Sequence, residues 1–265
     1  MNNSTDQVVV SVLMTAYNRE QYIGEAIESV LASSIKDFEF IIVDDCSSDR
    51  TVEIAQSYEA KDSRIRIYIN EKNLGDYPNR NKAASYAKGK YLKYLDSDDV
   101  IYPHCLEVMV AAMERYPHSA FGLSSTGNKN YPYPISISPR DSYEQHFGGF
   151  GHFDRAPGSS IIKREIFVKE NGFLIPKYAG DTELWFRLAQ KYELVLFPRD
   201  LVWDRSHSQT QSSLERLDKN IVKFRRALIY KFLHSPDCPL NENDVKKIKM
   251  LESKNRIKQI FRKWL

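Results

Sequence analysis

Two acidic clusters in this 265-residue chain each follow a short apolar run, and their composition suggests chemistry. The first is Asp44-Asp45-Cys46-Ser47-Ser48-Asp49, behind residues 40–43. A carboxylate at such a point can accept hydrogen bonds from a base N–H or from ribose hydroxyls, as acidic residues do in dinucleotide-binding sheets. Asp49 alone would serve as a helix cap, so two further aspartates exceed what capping needs. The second cluster is Asp96-Ser97-Asp98-Asp99, behind residues 90–95. Carboxylates packed this densely repel one another unless a cation sits among them. Hard oxygen ligands select Mg²⁺ or Mn²⁺, and such an ion completes its shell with phosphates and water. A solvated acidic turn is the plain alternative. A third polar group, Thr15-Ala16-Tyr17-Asn18-Arg19, ends the first apolar run and offers an aromatic ring to a base; a helix entry with an incidental tyrosine is the alternative there.

The elements that must position these groups alternate. Residues 8–15 form a continuous apolar and β-branched run, expected of a strand buried on both faces. Ile23, Ala26, Ile27, Val30 and Leu31 recur at helical spacing. Strands are predicted over 40–43, 64–69 (near an edge), 90–95 and 120–124. Helices are predicted over 50–58, 79–88 (ended by Gly89) and 103–116, the last with Pro103 in its first turn. This pattern implies a mostly parallel sheet with helices on both faces. Ligands of such sheets bind beyond the carboxyl ends of the strands, which is where all three polar groups fall.

Residues 131–157 hold four prolines, three glycines and aromatics such as Tyr131, Tyr133, Tyr143, Phe147 and Phe153. They read as a long binding loop or lid. Its aromatic faces would border an acceptor, or else build a small satellite core. Beyond it the sequence predicts a strand over 159–163, a helix over 164–170 ended by Gly172, a helix over 182–191 with Leu184, Trp185 and Leu188 inward, and short strands over 193–197 and 201–205.

Hydrophobic residues make up 42% and charged residues 28% of the chain, ordinary for a globular protein, and a net charge of +3 does not call for nucleic acid. From residue 215 onward there are 14 Lys/Arg against 6 Asp/Glu, leaving the remainder about −5. In residues 243–265 the apolar residues Val245, Ile248, Leu251, Ile257, Ile260, Phe261 and Trp264 lie at roughly helical spacing among basic ones. A basic amphipathic helix on an anionic membrane and a helix docked on the domain are both open readings. Cys46, Cys105 and Cys238 are scattered and odd in number, which suits reduced thiols in a cytoplasmic protein rather than a disulfide framework. The first seven residues lack a signal-peptide layout, and no apolar stretch is long enough to span a bilayer.

Taken in order, Thr-Ala-Tyr-Asn, Val-Asp-Asp-x-Ser-x-Asp-x-Thr, Asn73-Leu74-Gly75, Arg80-Asn81 and Leu-Asp-Ser-Asp-Asp resemble the family 2 inverting glycosyltransferases of GT-A fold. Lys163-Arg164-Glu165-Ile166-Phe167 through Gly172-Phe173 is similar to a further family segment. Asp181-Thr182-Glu183-Leu184-Trp185 resembles the family's second acidic motif. The resemblance runs from about residue 8 to about 207.

It implies a GT-A type, Rossmann-like, mostly parallel sheet flanked by helices, with a helical basic C-terminal extension. The catalytic domain would be 1–210, split at about 125 into a nucleotide-sugar half and an acceptor half, and the extension 211–265. Tyr17 would pack on the base beside Thr15. Asp44 and Asp45 would bind base or ribose, Arg80 would lie near the diphosphate, and Asp96 would contact the sugar-nucleotide. Asp98, Asp99 and His207 would hold Mn²⁺ or Mg²⁺. Asp181 would be the general base, with Glu183 as a secondary candidate. The donor would be a nucleotide-diphosphate sugar, by family analogy a UDP-sugar, and the acceptor a hydroxyl of a glycan or lipid-linked saccharide. The setting would be cytoplasmic or the inner face of the plasma membrane. Three departures stand out: Gly180-Asp181 where many relatives have Glu-Asp, Lys82-Ala83 after Arg80-Asn81 where a glycine is common, and the loop Asp76-Tyr77-Pro78. Rival readings are an inactive nucleotide-sugar-binding module and a sugar nucleotidyltransferase; the latter needs a Gly-rich loop that 15–20 lacks. A dinucleotide-dependent oxidoreductase lacks its G-x-G-x-x-G.

Overall fold

The computed structural model describes residues 8–125, 132–175, 178–206 and 219–250. An eight-stranded sheet runs through the molecule in the order β3-β2-β1-β4-β8-β6-β9-β7. Its first half is β1 (Val10–Ala16), β2 (Phe38–Asp44), β3 (Ile65–Ile69) and β4 (Tyr91–Asp96), all mutually parallel. The second half is β6 (Phe121–Ser124), β7 (Ile135–Ile137), β8 (Ser160–Lys163) and β9 (Leu194–Phe197). There β8 runs antiparallel to β4 and β6, and β7 antiparallel to β9. The expected mostly parallel sheet is therefore present, and β3 lies at its edge as its alternating basic residues suggest. A two-stranded ribbon joins β5 (Val100–Ile101) to β10 (Val202–Trp203).

Alternation along the central strands loads both faces. Leu13, Ile41, Val43, Leu92 and Tyr94 enter one core, while Val12, Met14, Phe40, Ile42, Tyr91 and Leu95 enter the other. Burial on both faces is why these strands read as continuous apolar runs rather than alternating ones. The helices covering them are α1 (Ile23–Leu31), α2 (Thr51–Glu59), α3 (Asp76–Tyr86), α4 (Cys105–Arg115), α5 (Pro139–Gln145), α6 (Arg164–Lys169) and α7 (Gly180–Lys191). α7 buries Leu184, Trp185 and Leu188, as its sequence predicts.

Two expectations change, and one open reading is settled for the described residues. α3 starts at Asp76, three residues before the predicted start, because Gly75 at φ 85° turns the chain and Pro78 is tolerated in a first helical turn. Gly89 does not cap it. A Cβ there would lie 2.6 Å from the Ser11 backbone nitrogen, so Gly89 lets the entry to β4 press against β1.

Nor is the described part of 131–157 a structureless loop. It contains β7 and α5, which is capped by Ser138, whose Oγ accepts from the Asp141 N–H at 3.1 Å. Its buried aromatics form no separate satellite core but join the core on one face of the sheet, with Leu92 and Tyr94. Tyr143 and Phe153 are fully buried, with ring centroids 5.4 and 4.8 Å from Phe186 of α7.

Finally, the described part of the basic tail docks on the domain. α8 (Lys219–Leu233) buries Leu228, Phe232 and Leu233, and Phe232 stacks on Phe186 at 5.3 Å. Residues 242–250 are helical with Ile248 buried. The apolar face of this stretch is thus used inside the protein; the rest of 243–265 lies outside the described residues. No helix among the described residues is long and apolar enough to cross a membrane.

Candidate active site

Register brings the chemistry together. Ala16 pairs with Asp44, Thr15 with Asp96, and Asp44 with Ile69, so β1 to β4 end on one level. Beyond that level lies a cavity of about 660 Å³. Its walls carry Thr15 of β1 and Tyr17 just beyond it, Asp45 just beyond β2, Arg80 from α3, Asp96 of β4 with Asp98 and Asp99 after it, and Asp181 from α7. Tyr17 lines it while remaining 48% exposed.

The two adjacent aspartates separate. Asp44 is 1% exposed, and its carboxylate is consumed by the Ser47 N–H at 2.8 Å and the Ser47 hydroxyl. It does not line the cavity, so its expected contact with base or ribose is corrected: Asp44 builds the turn. That turn needs Cys46 at φ 68°. Asp45 does reach the cavity, fixed by Asn70 Nδ2 at 2.7 Å and by the Leu74 and Gly75 N–H groups at 2.8 and 2.9 Å. The Asn-Leu-Gly motif therefore acts by orienting Asp45.

Arg80 is 5% exposed, and its Nε donates to Asp76 at 2.7 Å while Nη2 donates to Asp96 at 2.6 Å. Burial works against its charge, but the two carboxylates outweigh it and hold the guanidinium well above its ordinary pKa. Its Nη1 is buried without a partner. Asp98 accepts from Arg19 Nε at 3.1 Å. Asp99 accepts from the Arg205 N–H at 2.9 Å. Burial first, and then the negative charge of Asp96, push the Asp99 carboxyl up to about 8. Asp204 joins this group from behind β10, its carboxyl also raised by burial and by Asp96. Beneath them, Lys93 is fully buried on β4, donating to the carbonyls of Tyr94 and Gly158. It ties the site-lining turn at 157–159 to the central strand.

Asp181, which also lines the cavity, sits in the first turn of α7. The approach is strained: Tyr178 and Ala179, neither a glycine, are left-handed at φ 61° and 47°. Strain of this kind persists where the surroundings over-determine it, and it clusters at functional sites. Burial raises the Asp181 carboxyl, countered by the Thr182 N–H, Arg225, Tyr77 and Arg80. Glu183 does not face the cavity. It is 4% exposed and bound twice to Arg187, so its expected role as a secondary base is corrected to a structural one. His207 lies outside the described residues.

Sequence reasoning missed Arg19, Asp154, Arg155, Asp204, Arg205 and Arg225, all of which line the cavity. Arg19 was legible in its strand-end motif. Arg225 was not: it belongs to the C-terminal extension, and only docking of α8 brings it near Asp154 and Asp181.

Among the described residues no three acidic, imidazole or thiol groups converge closely enough to hold an ion alone. The carboxylates at the end of β4 still suit an ion that takes its remaining ligands from a diphosphate, since Mg²⁺-type ions bind through one or two carboxylates plus phosphate. Their mutual charge, visible in the raised Asp99, also favours a cation.

Known proteins resemble this chain in sequence and fold. The model of the family described as glycosyl transferase family 2 matches residues 11–169. The UDP-Glc:alpha-D-GlcNAc-diphosphoundecaprenol beta-1,3-glucosyltransferase WfgD of Escherichia coli is 38% identical over 108 residues, 41% of this chain and 42% of the relative. The chain spans about two fifths of the length of this relative and of others more alike in sequence. S. aureus TarS 1-349 in complex with UDP-GlcNAc superposes with a TM-score of 0.69 at 20% identity, over 91% of this chain and 70% of that one. A mannosyltransferase of Pyrobaculum calidifontis in complex with GDP-Man and Mn²⁺ gives a TM-score of 0.59 at 15% identity, over 96% and 82%. At such identities the two structures speak for the fold, which is the GT-A fold.

Proposed function

This chain belongs to glycosyl transferase family 2, and from that premise we propose that it is an inverting transferase that moves a sugar from a UDP-sugar to a hydroxyl of a glycan or lipid-linked saccharide. The observation that carries this reading is the cavity itself, whose lining combines Asp45, Asp96 and Asp98 from the strand ends with Asp181 from the first turn of α7. A nucleotide needs the first set and an acceptor hydroxyl needs the last.

In this reading Tyr17 packs on the base beside Thr15, Asp45 accepts hydrogen bonds from base or ribose, and Asp96 contacts the sugar-nucleotide. Arg80, through its unpartnered Nη1, faces the diphosphate. Asp98 and Asp99 hold a divalent cation, Mn²⁺ or Mg²⁺; when bound it would neutralise charge on the leaving diphosphate. The Mn²⁺ in the Pyrobaculum complex supports an ion of this class. Asp181, ionised, takes the proton of the acceptor hydroxyl. The acceptor oxygen then bonds to the anomeric carbon as the bond from that carbon to the diphosphate oxygen breaks on the opposite face. One base and one stabilised leaving group suffice for such a single inverting displacement.

UDP-GlcNAc in TarS and the UDP-Glc of the E. coli relative's name support a uridine donor, and the diphosphoundecaprenol of that name supports a lipid-linked acceptor. Such an acceptor would place the work at the cytoplasmic face of the plasma membrane.

The test is calorimetry with UDP, GDP and dTDP, each with Mn²⁺, Mg²⁺ or EDTA, on the wild type and Asp98→Ala. Metal-dependent binding of UDP that is lost in the variant is the expected result. Binding of none of the three by folded protein overturns the reading and favours a module without activity.

A further inference from the structure

A second cavity adjoins the first. β8 runs antiparallel to both β4 and β6, and β9 pairs parallel with β6, so β6 and β9 point the same way as β4. Ser124 pairs with Phe197, which brings the carboxyl ends of β6 and β9 to one level. At those ends lies a pocket of about 280 Å³, where a sheet of this kind binds ligands. It shares Arg155, Ser159 and Asp204 with the first cavity and adds Ser124, Arg199 and Asp200.

Its guanidiniums set this pocket apart. In the first cavity Arg19, Arg80 and Arg205 are each tied to a carboxylate. Arg155 and Arg199 have no hydrogen bond or ion pair from their guanidiniums among the described residues, and the Arg155 Nε is buried without a partner. A buried charged donor left unpaired is costly, and burial together with the charge of Arg199 lowers the Arg155 pKa. Asp200 and Asp204 also line the pocket, but neither forms an ion pair with these two arginines, and burial and Asp96 raise the Asp204 carboxyl. The backbone on both sides is held. Trp185, fully buried and one turn past Asp181 on α7, donates from Nε1 to the Arg155 carbonyl at 2.7 Å. That bond ties Arg155 to the helix that carries Asp181. Arg199 follows β9 in a turn where Asp200, not a glycine, is left-handed at φ 66°, and strain of that kind clusters at ligand sites.

We propose that this second pocket binds an oxyanion of the acceptor, a phosphate or a carboxylate, between the Arg155 and Arg199 guanidiniums. Planar guanidiniums match such groups in two-point contacts. Arg199 does not line the first cavity, where the strand-end carboxylates receive the donor, so the anion belongs to the other substrate. That assignment rests on the transferase reading. A phosphate would come from the diphosphate of a lipid-linked saccharide, a carboxylate from an acidic sugar.

The experiment follows the arginine Nε–H signals of the full chain by ¹⁵N NMR, assigned by their loss in Arg155→Gln and Arg199→Gln. Inorganic pyrophosphate and glucuronate are titrated separately with EDTA present, so that no metal mediates binding. Both signals should move along one saturable curve. Arg199→Gln should weaken that binding by about 10- to 100-fold, the size of one hydrogen bond between charged groups; Arg199 is exposed, and a melt checks that the variant folds. Saturation by pyrophosphate alone assigns the phosphate source, by glucuronate alone the acidic sugar, and saturation by both supports an oxyanion pocket that accepts either. Two unmoved signals overturn the proposal. So does movement of one alone, since Arg155 by itself would mark an anion in the donor cavity and Arg199 by itself one on the surface. Loss of UDP affinity in Arg199→Gln would place Arg199 at the donor and overturn it too. The transferase reading is judged separately, by UDP calorimetry. A chain that binds a probe through both arginines but no UDP overturns the acceptor assignment, whereas one that binds UDP with both signals unmoved sinks the second pocket alone.

Discussion

Glu183 clasps Arg187, one turn further along α7, through contacts of 2.8 and 3.0 Å, and Arg187 in turn donates to the carbonyls of Glu170 and Gly172. The pair therefore fastens the α6 exit to the helix that carries Asp181. Both side chains are nearly buried, at 5% and 12% exposure. Removing one partner of such a pair leaves the other charged and unpaired. We expect Glu183→Ala to lose about 3–5 kcal/mol of stability, read by urea unfolding, while the folded fraction still binds UDP. A stable Glu183→Ala without transfer activity would restore Glu183 as a base.

Asp181→Asn should lower kcat by about 10²–10⁴-fold, the usual contribution of a general base, and leave nucleotide affinity unchanged. Retained turnover would remove Asp181 from the chemistry.

The pH dependence has a definite sign. A base acts ionised, so kcat climbs as pH rises through the Asp181 pKa. Burial raises that pKa above the ordinary value of 3.8. The acid limb of the kcat profile should therefore lie above the usual carboxylate range and disappear in Asp181→Asn. A limb at the ordinary carboxylate value would contradict the burial argument.

Arg80→Lys keeps the charge but loses the fork that spans Asp76 and Asp96. One or more hydrogen bonds to charged groups are lost, worth about 1.5–3 kcal/mol each. We expect UDP affinity to fall by about 10- to 100-fold, measured by calorimetry with Mn²⁺. Unchanged affinity would show that Arg80 only organises the carboxylates.

Phe232→Ala empties a buried site against Phe186 and should cost about 3–5 kcal/mol. Because α8 also carries Arg225 to the cavity, the variant should lose transfer activity at temperatures where it remains folded. Thermal melts and transfer assays on the same samples separate the two effects.

Much of this protein follows from local pattern. The apolar runs ending in Thr15, Val43 and Leu95 carry both the strand assignment and the rule that ligands sit beyond their carboxyl ends. Parallel strands in register must end together, so Asp45 and the Asp96–Asp99 group share a cavity once the sheet exists. The apolar spacing of Leu184, Trp185 and Leu188 likewise states which face of α7 is buried, and Asp181, one turn before Trp185, heads that same face at the helix's first turn, where it lines the cavity.

What the chain could not state locally is which of two adjacent like residues does which task. Asp44 and Asp45 are chemically the same, and only the backbone path through Cys46 turns one onto Ser47 and the other into the cavity. Asp181 and Glu183 differ by two positions on one helix, and the presence of Arg187 one turn on decides that Glu183 is spent in the core. The aromatics of 131–157 read equally as a binding surface or a core, because a side chain's burial depends on what packs over it, here Phe186 and α8. Arg225 entering the site depends on contacts between segments far apart in the chain. Sequence patterns record periodicity and local conformation, so they determined the sheet, the strand-end site and its acidic character. Which side chains meet across the cavity is set by close packing between distant elements, and only the tertiary structure decided it.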